Sequence, residues 1–308
     1  MVMNAAATRV VNPILSTYVQ GYRQADLVGE FLFPRVPVPV SGGQILEFGK
    51  ESFKLYNSRR APGANTKRIS FGYAGKPYAL FNDALEAPVP REMMRDAKVM
   101  PGIDLGTRAV RTVMNSLLLG LESAQATLAT DASQYDSNHK ITLAGTSKWS
   151  DPASDPIAQM DTYKEAIRSS IGIRPNTLLL SAQAWSAAKT NAKIRAQFQY
   201  TNPSSITLEM LKGIFDIKRI AVGEAVVSDD ANVLSDVWGN NAILAYVPDA
   251  PEGMEQPSYG YTYTMEGHPM VEEAYYDNSA KSWIYGVGFE RAPVLSGITS
   301  GFLIQAIK

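Results

Sequence analysis

The chain has 308 residues, of which 45% are hydrophobic and 19% are charged, and its formal net charge is −1. This composition excludes intrinsic disorder, which requires fewer apolar residues and more net charge. The sequence contains no cysteine, which excludes disulfides, thiolate nucleophiles and cysteine-bound zinc. It also has no apolar run of the length needed to span a bilayer.

Residues 1–40 are predicted to form an extended arm. Pro34, Pro37 and Pro39 disfavour helix and central strand, and they favour an extended backbone. An extended apolar segment cannot bury itself, so we expect the arm to lie against another surface. The alternative is a strap across its own domain.

Residues 41–80 are predicted to form a β-hairpin with a long tip, with strands at 45–48 and 69–73. Between residues 50 and 76 the net charge is +6, an asymmetry in a nearly neutral protein. The basic residues are Lys50, Lys54, Arg59, Arg60, Lys67, Arg68 and Lys76, against the single acid Glu51. Residues 81–103, which include Asp83 and Glu86, are interpreted as a short acidic linker with solvated charges.

Residues 104–129 are predicted to form a long amphipathic helix. Apolar residues recur there at steps of three or four, which places them on one side of a helix. Asp104 is positioned to cap the first turn, and the length corresponds to roughly 40 Å. Gly106 and Gly120 each lower helix propensity by about 1 kcal/mol relative to Ala, so we expect a bend. The helix is either an ordinary core helix or a beam across the structure.

Residues 151–249 alternate between helix and strand patterns, which predicts a separate α/β unit. Helix starts are indicated by the capping residues Ser154 or Asp155, Ser181, and Ser205 or Thr207. Short apolar strands are predicted at 177–180, 217–227 and 242–247.

Residues 250–308 are predicted to be rich in β-strand, with strands at 259–265, 270–276, 283–289 and 301–307. From residue 220 to residue 280 there are eleven acidic residues and no lysine or arginine, so the net charge of this window is −11. Glu266, Glu272 and Glu273 belong to it.

No pattern in the chain indicates catalysis. The only histidines are His139, interpreted as a solvated loop residue, and His268, interpreted as a turn residue. There is no G-x-S-x-G elbow, phosphate loop, dinucleotide fingerprint or zinc-ligand spacing, so we predict neither an enzyme nor a cofactor or metal site. A hydrolase that uses buried carboxylates stays open as an alternative, since any two acids can meet in space.

The basic segment has two interpretations. As a nucleic-acid patch it would neutralise phosphates, with Phe53, Tyr56, Phe71 and Tyr73 stacking on bases. We favour contact with the acidic window of a second copy, because opposite fields steer association and fix its register. The candidate contact residues are Lys50, Lys54, Arg59, Arg60, Lys67 and Arg68 on one copy and Glu266, Glu272 and Glu273 on the next.

Several short segments, in this order along the chain, resemble one known family. They are NPIL at 12–15, EFLFP at 30–34, VPV at 36–38, FGKE at 48–51, RAPG at 60–63, ALEAPVP at 84–90, YY at 275–276, SWIYG at 282–286 and GFLIQ at 301–305. Together they resemble the major capsid proteins of tailed bacteriophages, which have the Hong Kong 97-like fold.

The resemblance implies an α+β fold with five segments. They are an N-terminal arm (1–40), an extended hairpin loop (41–80), a peripheral domain with a spine helix at 104–129 (81–150), an axial α/β domain (151–249) and a β-rich return to the peripheral domain (250–308).

The resemblance also implies a structural protein of the virion. The family forms pentamers and hexamers of itself that close into an icosahedral shell around double-stranded DNA, assembled in the bacterial cytoplasm with portal, scaffolding and decoration proteins and no membrane. An encapsulin-like compartment that holds cargo enzyme is the alternative with the same fold.

Overall fold

Two sheets and one long helix organise the chain. The computed structural model describes residues 27–47, 59, 74–97, 104–198, 206–229, 231–249 and 258–308. The strands are β1 (Arg35–Val38), β2 (Gly42–Glu47), β3 (Ala74–Ala79), β4 (Phe81–Pro90), β5 (Lys140–Thr142), β6 (Thr177–Ser181), β7 (Arg219–Gly223), β8 (Val226–Ser228), β9 (Leu234–Asp236), β10 (Asn241–Ala245), β11 (Gly260–Met265), β12 (Met270–Val271), β13 (Tyr275–Asp277), β14 (Ser282–Leu295) and β15 (Gly301–Gln305). The helices are α1 (Arg91–Ala97), α2 (Leu105–Thr130), α3 (Pro156–Ile171), α4 (Ala182–Thr190), α5 (Ala192–Ala196) and α6 (Leu208–Phe215).

The larger sheet has six strands and is built around β14. The strands β11, β12 and β13 pair antiparallel with successive parts of β14, and β4 pairs antiparallel along its other side. Strand β1 joins parallel to β11. The long β14 therefore holds together segments that lie far apart in the sequence.

The interpretation of residues 81–103 as a linker is wrong over most of its described length. Residues 81–90 are strand β4, paired from Phe81 with Arg291 to Pro90 with Ser282, and α1 follows directly. Proline at 88 and 90 disfavours a central strand, but β4 is an edge strand among the described residues, where proline is tolerated. Asp83 is exposed, as predicted for these charges, and its carboxylate also pairs with the buried Arg291 at 3.3 Å.

The predicted long helix is confirmed as α2, capped by Asp104. Its apolar side packs on the larger sheet, where Met114, Leu118 and Leu121 meet Val287 and Phe289. This burial removes apolar side chains from water, the main favourable term in folding.

The two glycines of α2 lie where side chains of β14 approach the helix. A Cβ atom added at Gly106 would lie 2.9 Å from the Tyr285 ring, and one at Gly120 would lie 3.7 Å from the Arg291 guanidinium. Gly106 thus permits a close approach that a larger residue would block. The expected bend of α2 stays a prediction.

The smaller sheet has five strands in the order β5-β15-β10-β6-β7. Helices α3, α4 and α6 pack against it around a core that includes Trp149, Met160 and Phe215. The predicted capping sites are confirmed, with Asp155, Ser181 and Thr207 accepting backbone N–H groups at the starts of α3, α4 and α6. Strands β5 and β15 lie outside residues 151–249, so this sheet recruits backbone from before and after the predicted α/β unit.

The base of the predicted hairpin is an antiparallel pair, β2 with β3, in register from Gly42 with Ala79 to Glu47 with Ala74. Tyr78 anchors this base, since its ring stacks on Tyr263 of β11 at 4.7 Å between ring centroids. The predicted strand at 69–73 lies outside the described residues.

The N-cap of α2 provides a test of this description. Asp104 accepts hydrogen bonds from the N–H groups of Gly106 (3.0 Å) and Thr107 (3.3 Å). We expect Asp104→Ala to lower the free energy of unfolding by about 1 kcal/mol, measured by urea denaturation of the subunit. Asp104→Asn keeps an acceptor and is the matched control; an equal loss in both variants would contradict a capping role.

Candidate functional site

The acidic candidates lie on the surface of the described chain. Glu266, Glu272 and Glu273 are all exposed. The structure also places Glu86 beside Glu272, since both side chains approach Gly286, within 3.5 Å and 3.1 Å of a Cβ atom built there. The Tyr275 hydroxyl lies 3.3 Å from a carboxylate oxygen of Glu86, to which it donates. Sequence reasoning missed Glu86, because only the pairing of β4 with β14 brings it to this face.

The basic candidates are mostly beyond the described residues. Arg59 is described and exposed. Lys50, Lys54, Arg60, Lys67 and Arg68 lie outside the described residues, so their contact with the acidic face stays a prediction.

A buried glutamate on α2, which the sequence reasoning missed, joins three parts of the molecule. Glu122 is 2% exposed. Its carboxylate accepts hydrogen bonds from the N–H groups of Gly29 (2.7 Å) and Val28 (3.1 Å) and from Trp238 Nε1 (2.7 Å). The arm segment before β1, the long helix and the segment before β10 therefore meet at one side chain. One signal was available, since Glu122 follows the apolar Leu118 by four residues and therefore shares its side of the helix.

Gln125, almost one turn further along α2, continues this polar cluster. Its Nε2 donates to Thr262 Oγ1 at 2.8 Å, and the Thr262 hydroxyl donates to the carbonyl of Phe33 at 3.1 Å. A Cβ atom at Gly29 would lie 1.9 Å from Gln125 Oε1 and 2.7 Å from Glu122 Oε2. Only glycine lets the arm backbone approach this closely.

Burial raises the pKa of Glu122 above the usual glutamate value, because the charged form loses its hydration. Its three hydrogen-bond donors favour the carboxylate and oppose this shift. Glu122 is the one buried carboxylate among the described residues, and the groups around it are backbone amides and an indole. This arrangement fits a structural tie between segments.

A buried arginine makes a second connection between α2 and the larger sheet. Arg291 donates from Nη2 to the carbonyl of Leu117 at 2.6 Å and lies over the Phe289 ring at 4.4 Å from its centroid. Burial lowers the pKa of the Arg291 guanidinium to about 10, an effect opposed by the nearby Asp83 carboxylate.

The two histidines occupy structural positions. His139 is buried, which corrects its interpretation as a solvated loop residue, and its Nδ1 lies 2.8 Å from Asp136 Oδ1. Its loop packs inward because strand β15 pairs alongside, with Leu303 N donating to His139 O. His268 follows the turn at Glu266, and its Nδ1 accepts from Glu290 N at 3.1 Å.

Within the described ranges, no three histidine, aspartate or glutamate side chains converge as a metal site. No helix described here has both the length and the apolar content needed to cross a membrane.

The structure combines a long helix across a sheet with an α/β unit, an arm and an anchored hairpin base. This is the architecture of the Hong Kong 97-like capsid fold. The chain is 51% identical to a phage-related protein of Bordetella bronchiseptica RB50 of known crystal structure. The structural match covers 97% of this chain and 98% of the Bordetella protein, with a TM-score of 0.84. Residues 128–260 match the family model of phage major capsid protein E.

Curated relatives extend this match over the whole chain. The major capsid protein of Burkholderia phage BcepMu is 35% identical over 306 residues, covering 97% of both chains. The major capsid protein of Pseudomonas phage JBD67 is 26% identical over 269 residues, covering 82% of both. The chain belongs to the family of phage major capsid proteins, which makes it a shell-forming structural component of the virion.

Removing the Glu122 carboxylate tests the polar cluster. We expect Glu122→Ala to lower the free energy of unfolding by about 3 kcal/mol or more, because each buried donor left unsatisfied costs about 1–3 kcal/mol. Chemical denaturation of the subunit measures this loss. Glu165→Ala, which removes an exposed glutamate from α3, is the matched control. Equal stability of Glu122→Ala and the control would contradict a structural role of the polar cluster.

The raised pKa of Glu122 also predicts a pH dependence. The pKa of Glu122 is higher in the native state than in the unfolded state. Its contribution to stability is therefore fully present when the pH is below the unfolded-state pKa. That contribution is lost as the pH rises through the native-state pKa. Glu122→Gln cannot titrate, so we expect the wild type to lose stability relative to Glu122→Gln as the pH rises over that range. A stability difference that is flat with pH would show that Glu122 titrates normally.

Proposed function

We propose that this capsid protein assembles into pentamers and hexamers that close into an icosahedral shell around double-stranded phage DNA in the host cytoplasm. The observation that carries the proposal is the match to a phage major capsid protein along nearly the whole chain. Portal, scaffolding and decoration proteins are the expected partners. A phage relative of this kind favours a genome as cargo over the enzyme cargo of an encapsulin-like compartment.

In this proposal the parts of the fold have distinct roles. Residues 1–40 form the arm, whose part from 28 to 38 is a strap across its own subunit, and residues 41–80 act as a loop that reaches a neighbouring copy. Residues 81–150 and 250–308 contribute the peripheral domain, and 151–249 form the axial domain. The stacking of Tyr78 on Tyr263 supports the role of the loop, because it fixes the base of β2 and β3 on the larger sheet.

The electrostatic part of the proposal pairs the basic hairpin with the acidic face. Glu86 and Glu272 approach the same point on the larger sheet, and Glu273 is exposed nearby in sequence. An acidic face and a basic loop on the same chain fit a heterologous contact, in which different surfaces of two identical copies meet. Such contacts steer association and fix register more than they add affinity.

The cargo provides the first test. Particles purified after expression with the other phage components are treated with nuclease, and their protected nucleic acid and protein are identified. We expect protected double-stranded DNA. Particles that hold a cargo enzyme and no DNA would support the encapsulin-like alternative, and a chain that stays monomeric with all components present would contradict both.

Charge reversal tests the contact itself. We expect Arg59→Glu combined with Arg60→Glu to reduce assembly at least tenfold and to leave the subunit folded, because like charges then face each other. Light scattering and circular dichroism measure these two properties. Arg174→Glu, at an exposed arginine of the α/β unit, is the control.

Mixing the Arg59→Glu/Arg60→Glu subunits with Glu272→Lys/Glu273→Lys subunits restores opposite charges across the contact. Recovery of assembly in this mixture would identify these glutamates as the partners of the two arginines. Unchanged assembly of the double variant would contradict the charge pairing.

A further inference from the structure

A two-stranded ribbon on the α/β unit exposes apolar side chains to solvent. Strands β8 and β9 pair antiparallel from Val226 with Asp236 to Ser228 with Leu234. Val233 is 60% exposed and Leu234 is 69% exposed. We call residues 226–229 and 231–236 the apolar ribbon. Two-stranded ribbons are marginally stable alone, and grouped apolar residues on a surface mark interaction sites.

The apolar ribbon is nevertheless held in a defined shape. Asp229 Oδ1 accepts hydrogen bonds from the N–H groups of Ala231 (2.9 Å) and Val233 (2.8 Å), which fixes the turn. At the other end, the Gln183 amide donates to Asp236 Oδ2 at 3.1 Å. The ribbon is thereby attached to the first turn of α4, which lowers the cost of ordering its backbone on binding.

The ribbon and the last turn of α4 carry opposite charge. In and beside the ribbon, Glu224, Asp229 and Asp236 are exposed acids in a stretch with no lysine or arginine from 220 to 280. The last turn of α4 carries Lys189, and α5, which follows at once, carries Lys193 and Arg195, all exposed. Gln183 and Lys189 are six residues apart on α4, which corresponds to about 9 Å along the axis.

We propose that the apolar ribbon of one copy docks on the cationic end of α4 and α5 of the next copy. The contact is heterologous, so its repetition closes a ring when the rotation between neighbouring copies is a whole fraction of a turn, as the proposed pentamers and hexamers require. Charge complementarity selects the partner: acids flank Val233 and Leu234 on one copy, and Lys193 and Arg195 receive them on the other. The inference rests on the proposed shell assembly and specifies one contact within it.

Complementary single-sided variants test this contact. Leu234→Lys disables the ribbon, because it replaces an apolar side chain by a cation that faces the cationic end, and it leaves the cationic end intact. Lys193→Glu/Arg195→Glu disables the cationic end and leaves the ribbon intact. We expect each variant alone to form at least tenfold fewer ring-sized oligomers than the wild type by mass photometry. An equal mixture of the two should form dimers, because one intact contact is available between them.

Arg174→Glu, which reverses an exposed cation elsewhere on the same unit, is the control and should assemble normally. Circular dichroism and thermal unfolding check the fold, and Leu234→Ser gives a milder ribbon variant with the same expected direction. If the wild type forms shells and the ribbon and cation variants also assemble normally, this contact is overturned and the proposed function stands. A mixture of defective variants that yields no dimer would also overturn it. A wild type that never assembles would overturn the proposed function itself.

Discussion

The buried carboxylate of Glu122 is the interaction on which the arrangement of the subunit depends. It lies on the long helix, and its hydrogen-bond donors come from the arm and from the segment that leads into β10. A carboxylate in a dry interior is costly unless each oxygen has partners, so the three segments must meet in one geometry. Gly29 is part of the same constraint, because any larger residue would collide with Gln125.

Arg291 makes the corresponding connection at the middle of the larger sheet. It belongs to the central strand β14, donates to the helix at Leu117 and pairs with Asp83 of the edge strand. Together with Glu122 it ties the long helix to both the sheet and the arm. The helix is thus held by specific polar contacts as well as by apolar packing, which favours one relative placement of the parts.

This arrangement leaves apolar side chains exposed on the surface of the subunit. Phe81 on edge strand β4 is 68% exposed, and the ribbon exposes Leu234. Unpaired strand edges and apolar patches are a liability in an isolated chain. In the proposed shell these surfaces are the candidates for contacts between copies, and the acidic residues beside them are the candidates for selecting the partner.

Much of the local structure was predictable from the sequence. The periodicity from residue 104, the capping residues and the apolar strands of the α/β unit all act locally, and the structure contains them. Strand β4 was missed because its prolines are tolerated only at an edge, and edge position depends on distant β14. Glu122 and the burial of His139 were missed for the same reason, since their partners come from elsewhere in the chain. The overall fold followed from family resemblance, which records long-range pairing that local patterns do not.

The most direct test of the account is a cryo-electron microscopy reconstruction of particles assembled from the full chain with its phage components. The account predicts closed icosahedral shells in which five-fold and six-fold clusters are built from this one subunit. Exclusively monomeric protein under those conditions, or open aggregates without symmetry, would contradict it.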